Sequence, residues 1–234
     1  PAAKTAAARP PRIWEIDFLR GLAIILMVGY HLLFDLGEFV GTKRFLGFST
    51  DLGTPAWTAA QAFFAALFVL LSGASGTLSR DNVRRGLRLL AVSFLVTAAT
   101  YVFDPASTVW FGILQCLAVS MLLFGAAFGR ARAAACAAWG GAIIALAAAL
   151  PVLKRGWAVR SDWLMPFGIT SPSFSSFDYF PLVPWFGVFL VGAALGRWLY
   201  ASRRSLLPWR LPVTFVNVAG RHAEDDPKPG WWDT

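Results

Sequence analysis

Long apolar stretches, separated by short polar or basic segments, dominate the chain. A helix needs about 20 mostly apolar residues to cross the hydrocarbon core of a bilayer. Six segments meet or approach that length: residues 18–36, 57–78, 87–103, 109–128, 133–153 and 180–200. Backbone exposed to lipid must satisfy its own hydrogen bonds, so all six are predicted helices. The expected fold is an all-α, polytopic transmembrane bundle of about six spans. The third span is short and borders a basic run.

Composition agrees. Hydrophobic residues make up 57% of the 234 residues, charged residues 15%, and mean hydropathy is +0.58. A soluble domain carries about 25% charge, and disorder requires low hydrophobicity. Both classes are excluded, as is a disulfide scaffold: the two cysteines, Cys116 and Cys136, sit in apolar runs and read as buried thiols. The net charge of +8 points to a membrane surface and not to nucleic acid, because the basic residues flank the apolar segments. With the N-terminus in the cytoplasm, inside segments up to Arg210 hold 14 Lys and Arg residues and outside segments 5, which sets the orientation. The first apolar run lacks the small-residue cleavage site of a signal peptide. The expected organisation is a cytoplasmic tail over 1–12, a membrane domain over 13–210, and a polar cytoplasmic tail over 211–234. Two outside loops, 37–56 and 154–179, are long enough to be lids or binding elements. No internal repeat of the kind found in many transporters is visible.

Ionisable residues inside spans are candidates for function, and the first span holds most of them. Asp17 and Asp35 are eighteen residues apart and share a helix face, with His31 one turn before Asp35 and nearly aligned. His31 can serve as general base, with Asp35 orienting it; the structural alternative is a histidine hydrogen-bonded across helices. Asp17 and Arg20 lie at the inner boundary, as an interfacial ion pair or as contacts for a charged cytosolic ligand. The second span ends in LSGASGTLSR. Its small residues suit close helix packing, or backbone approach at Gly73 and Gly76 to a phosphate-bearing ligand beside Arg80, Arg84, Arg85 and Arg88. Those arginines also fit the positive-inside pattern. Asp178, just before the sixth span, reads as an acceptor-binding group or a helix cap. Two histidines and two cysteines make a metal site unexpected.

Four segments, EIDFLRGLAIILMVGYHLLFDL, LSGASGTLSR, WFGILQCLAVSMLL and FDYFPLVPWFGVFLVGAALG, occur in that order. Together they resemble the bacterial membrane proteins related to heparan-alpha-glucosaminide N-acetyltransferase, over roughly residues 12–222. The resemblance implies an integral membrane acyltransferase of the bacterial inner membrane. It would pass an acetyl or acyl group from cytoplasmic acyl-CoA to a sugar hydroxyl or amine on the far side, directly or through an acyl-histidine. The donor would lie near Asp17, Arg20, Gly73, Gly76, Arg80, Arg84 and Arg85, and the acceptor would meet it at His31. Gln115 stands where many relatives are expected to carry His, which places it with Asp178 in the acceptor site. NVAGRH resembles the start of a last helix in that family, and no span follows it here, so the end reads as truncated or altered. The competing readings are a transporter or flippase using His31 and the aspartates as a path, and a structural subunit. A homo-oligomer is left open.

Overall fold

The computed structural model describes residues 13–202 except 52, 156 and 158, together with residue 206. The expected tails over 1–12 and 211–234 lie outside the described residues. The chain forms helix α1 (Trp14–Glu38), a small hairpin of β1 (Arg44–Phe45) and β2 (Phe48–Ser49), then α2 (Pro55–Leu78), α3 (Asn82–Phe103), α4 (Ile113–Leu123), α5 (Ala133–Leu153) and α6 (Leu182–Leu199). A π-helical turn, Phe124–Phe128, continues α4. The chain is an all-α membrane bundle. Among the described residues, five helices are long and apolar enough to cross a membrane. The remaining expected span is Ile113–Phe128, about 24 Å at 1.5 Å per residue.

The expected spans are recovered with shifted ends, and the shifts have local causes. Helix α3 begins five residues early because Asp81 caps it, its Oδ1 accepting from the Arg84 N–H at 2.8 Å. The expected fourth span loses its first four residues because that stretch is extended: Phe111 bridges Tyr179, and the Phe180 N–H donates to the Phe111 carbonyl at 2.9 Å. Pro181 caps α6, and its regular helical run begins at Pro184, since Val183 is non-helical. Helix α5 keeps the bounds the apolar pattern predicts. Within the 37–56 loop, Leu46 and Gly47 both take positive φ, as the two central residues of a tight hairpin turn require.

Helix α6 is the hub, packed against α5 on one side and α2 on the other; α3 pairs with α4, and α1 lies mainly on α2. Small residues bring these backbones together. A methyl group on Gly192 would meet the Leu70 carbonyl, one on Gly196 would lie 2.8 Å from the Ala74 Cα, and one on Gly187 would lie 2.8 Å from the Gly140 carbonyl. Lipid offers no hydrophobic drive for helix association, so such close packing is what holds spans together. Val69, Phe124, Phe189 and Leu190 fill the centre, with Cys116 and Cys136 beside them as free, fully buried thiols. The up-and-down path gives the bundle two unlike ends. The α2–α3 and α4–α5 turns and the basic residues mark the Arg-rich end; the hairpin and the long 154–181 segment mark the loop end.

Candidate active site

At the loop end, the chain between α5 and α6 folds back over the start of α4. Asp178 is the pivot. Its Oδ2 accepts the N–H of Ile113, the first residue of α4, at 2.9 Å. It therefore caps α4, 65 residues away in sequence, and not the α6 helix that follows it. The Ser176 hydroxyl donates to the Asp178 carbonyl at 2.8 Å and accepts from the Trp110 N–H at 3.1 Å, which holds the segment down. Burial raises the Asp178 carboxyl above its ordinary value, against the smaller opposing effects of the Ile113 N–H and of His31. His31 thus lies within electrostatic reach of Asp178. The Phe34 ring, one turn further along α1, meets Phe177 edge-on at 5.4 Å. His31 itself is exposed, in edge contact with Tyr30 at 6.0 Å, and neither ring nitrogen has a hydrogen-bond partner among the described residues. A ring with both nitrogens free beside a half-buried carboxyl is suited to taking a proton from an incoming nucleophile.

Tyr179 extends this platform. Its hydroxyl donates to the Met165 carbonyl at 2.7 Å, and its ring packs on Phe174 at 5.0 Å. Burial and the nearby Asp162 push the hydroxyl up to about 12, so it stays a donor. Gln115 braces the start of α4. Its Oε1 accepts from the Gly112 N–H at 3.1 Å, and its Nε2 donates to the Thr97 hydroxyl at 2.7 Å and the Ser93 carbonyl at 3.3 Å. Both donors of the amide are used within the protein.

The Arg-rich end is assembled from different elements. Arg20 of α1 and Arg85 of α3 lie close enough to repel one another. Arg85 is half-buried, whereas Arg80, Arg84 and Arg88 are exposed. Two guanidinium groups within electrostatic reach of each other favour an anion near them. Close by in sequence, a cleft of about 190 Å³ opens between the α2–α3 turn and the π-helical turn, lined by Gly76, Thr77, Arg80, Asn82, Phe124 and Gly125. Gly73 is not among its lining residues. It packs against α6, where a methyl group would lie 3.0 Å from the Ala193 nitrogen. Asp17 is half-buried near Arg20, and Asp35 is exposed one turn beyond His31.

Two residues of this end escaped sequence reasoning. Asn82 is buried; its Nδ2 donates to the Gly76 carbonyl at 2.8 Å, and its Oδ1 has no hydrogen-bond partner. Arg197 of α6 donates to the Phe128 and Gly129 carbonyls at 2.8 and 2.9 Å and covers the Phe124 ring at 5.4 Å. It satisfies carbonyls that the π-helical turn leaves without helical partners. A basic residue in the last turn of a helix was the available signal.

The two ends are connected along α1. Arg20, Met27, His31 and Phe34 fall within about 60° on the helix. Met27 packs on the central core and Phe34 on Phe177, while His31 is exposed, so this stripe runs along the border of the buried face. Asp17 and Asp35 lie to its side. Arg20 and His31 are separated by about 17 Å along the axis. Among the described residues, no three His, Cys, Asp or Glu side chains gather to hold a metal ion. A family model described as "Heparan-alpha-glucosaminide N-acetyltransferase, catalytic" matches residues 12–223. No curated protein and no solved structure matches the chain.

Proposed function

Because the chain belongs to the heparan-alpha-glucosaminide N-acetyltransferase catalytic family, a family of membrane acetyltransferases, we propose that it moves an acetyl group along α1. The donor is acetyl-CoA, with its phosphates at the Arg-rich end, and the acceptor is a sugar amine or hydroxyl arriving at the loop end. One observation carries this reading: a single stripe of α1 joins Arg20, within electrostatic reach of Arg85, to His31, within electrostatic reach of Asp178. The stripe therefore offers cations for phosphates at one end and a proton acceptor at the other, about 17 Å apart. An extended phosphopantetheine arm suits such a separation of charge and chemistry.

In direct transfer, the acceptor nitrogen or oxygen forms a bond to the acetyl carbonyl carbon and gives its proton to His31. The carbon–sulfur bond then breaks, and CoA leaves as the thiolate, which takes a proton. In stepwise transfer, a ring nitrogen of His31 bonds to the acetyl carbon as the carbon–sulfur bond breaks and CoA leaves as the thiolate; the acceptor then bonds to that carbon, the carbon–nitrogen bond to His31 breaks, and the acceptor's proton passes to the freed ring. Asp178 stabilises the positive charge that His31 acquires in either route, with Asp35 one turn further along α1. Gln115 and the Ile113 N–H keep Asp178 and the start of α4 in register.

The test is acetyl-CoA turnover by purified protein with a panel of amino sugars, alongside equilibrium CoA binding. His31→Ala should lower turnover about 10²–10⁴-fold, as loss of a general base does, with CoA affinity unchanged. A folded variant that turns over normally would remove His31 from the chemistry. Absence of turnover by the unaltered protein with every acceptor would remove the enzymatic reading itself.

A further inference from the structure

We propose that a cleft at the loop end, beside the last turn of α5, binds an anionic membrane lipid, with the lipid phosphate at Arg160 and a hydrocarbon chain between Trp157 and Trp163. The cleft is about 380 Å³, the larger of the two described. Trp157, Trp163, Leu164 and Ile169 supply its larger apolar walls, and Arg160 and Ser161 are its polar side chains. Trp163 is 90% exposed and Trp157 59%. With Leu164 beside them, the two rings form an exposed apolar patch of the kind that marks a membrane or ligand contact.

Three observations favour a lipid over other occupants. The first is position. The Lys154 ammonium donates to the Gly168 carbonyl, and Gly168 packs toward Leu150 and Val183, so the loop is folded back onto the last turn of α5 and the start of α6. Its apolar surface continues that of α5, where Leu146, Val152 and Leu153 are exposed, through Leu164 and Phe167. A bilayer covering α5 reaches the loop at its interfacial level, where Trp and basic side chains anchor.

The second is charge. Lys154, Arg155 and Arg160 lie at this level, and the neighbouring carboxylate, Asp162, accepts from the Ser171 N–H and hydroxyl at 2.7 and 3.1 Å. Three cations against this one hydrogen-bonded carboxylate leave the level net positive, which favours a phosphate headgroup. The third is the composition of the walls. A sugar site needs carboxylate or amide groups to fix hydroxyls, and no such side chain lines this cleft. An apolar slot with one guanidinium at its mouth matches an amphiphile. The site is independent of the acetyl-transfer reading and requires only that the helices span a bilayer.

The full chain is reconstituted in phosphatidylcholine nanodiscs containing either brominated phosphatidylglycerol or brominated phosphatidylcholine, and tryptophan quenching is measured. Subtracting the signal of a Trp157→Phe, Trp163→Phe double variant isolates these two rings. Brominated phosphatidylglycerol should quench them at about fivefold lower mole fraction than brominated phosphatidylcholine, and Arg160→Gln should abolish that difference. Arg160 is exposed, so its replacement leaves the fold intact, and Arg160→Lys should retain the preference. Equal quenching by the two lipids would overturn the proposal. So would a preference that survives in Arg160→Gln, or protection of the rings by a soluble amino sugar.

Discussion

The packing of α6 against α2 sets the frame on which both ends of the site are built, and Gly192 is where that packing has least room. A methyl carbon on Gly192 would fall on the Leu70 carbonyl oxygen and lie 2.7 Å from its carbonyl carbon and 2.9 Å from its Cα. Carbon atoms at their optimal separation are about 3.5–4.0 Å apart, so the two helices must part by about 1 Å. The obstacle is backbone, and no side-chain rotation relieves it. Overpacking of this kind costs about 1–3 kcal/mol. At about 2–4 °C per kcal/mol for a chain of this length, a cost of about 2 kcal/mol lowers the melting temperature of Gly192→Ala by about 4–8 °C. Because Cys116 and Cys136 are fully buried, a thiol-reactive dye in mild detergent reports unfolding without any added label. Gly141→Ala is the matched control. It lies in α5 with nothing within 4 Å of the new methyl group, and it gains about 1 kcal/mol of helix propensity. The control should melt at or above the unaltered protein. If Gly192→Ala melts with the control, the α2–α6 packing argument is wrong.

Other consequences follow from the same geometry. Burial raises the Asp178 carboxyl, so folding favours its protonated form; that stabilisation is complete below the ordinary carboxylate pKa and is lost as pH rises through the raised value. Asp178→Asn should flatten the melting profile above about pH 4, and a profile that keeps its slope there would contradict the assignment. Replacing Arg20 and Arg85 together with Gln should weaken CoA binding by at least about tenfold in low salt and less in high salt, whereas Arg84→Gln, at an exposed position, should change it little; calorimetry at two salt concentrations reads both. Gln115→Leu should destabilise the bundle by about 1–3 kcal/mol, since it strips partners from the buried Gly112 N–H and Thr97, and a dye-based melt checks the loss.

Much of the fold was legible because lipid imposes one rule, and apolar length alone located all six α-helices. What length could not supply was the extended run before α4. It is held by Tyr179 and Phe180, about 70 residues away, and no local pattern records such a partner. The site was legible in part. His31 stood out as an ionisable group within an apolar helix. The periodicity also aligned Asp17 with Asp35, and that alignment holds on any regular helix. Which face is turned inward is decided by packing, and the buried residues Ile16, Ala23, Tyr30 and Leu33 put the Asp17–Asp35 stripe to the side. The carboxyl within electrostatic reach of His31, that of Asp178, comes from a different element. Likewise, the four arginines after α2 looked equivalent in sequence, yet Arg85 alone among them is half-buried, within electrostatic reach of Arg20.

The central claim is that donor and acceptor meet from opposite ends of the bundle, and sidedness tests it most directly. The protein is reconstituted in sealed vesicles, oriented with the Arg-rich end outward. Labelled acetyl-CoA is added outside, and an impermeant amino sugar is trapped inside. The account predicts labelled N-acetyl sugar within the vesicles, with CoA released outside, and loss of that product in His31→Ala. Labelling only when the sugar is outside with the donor, or labelling inside that His31→Ala leaves intact, would contradict it.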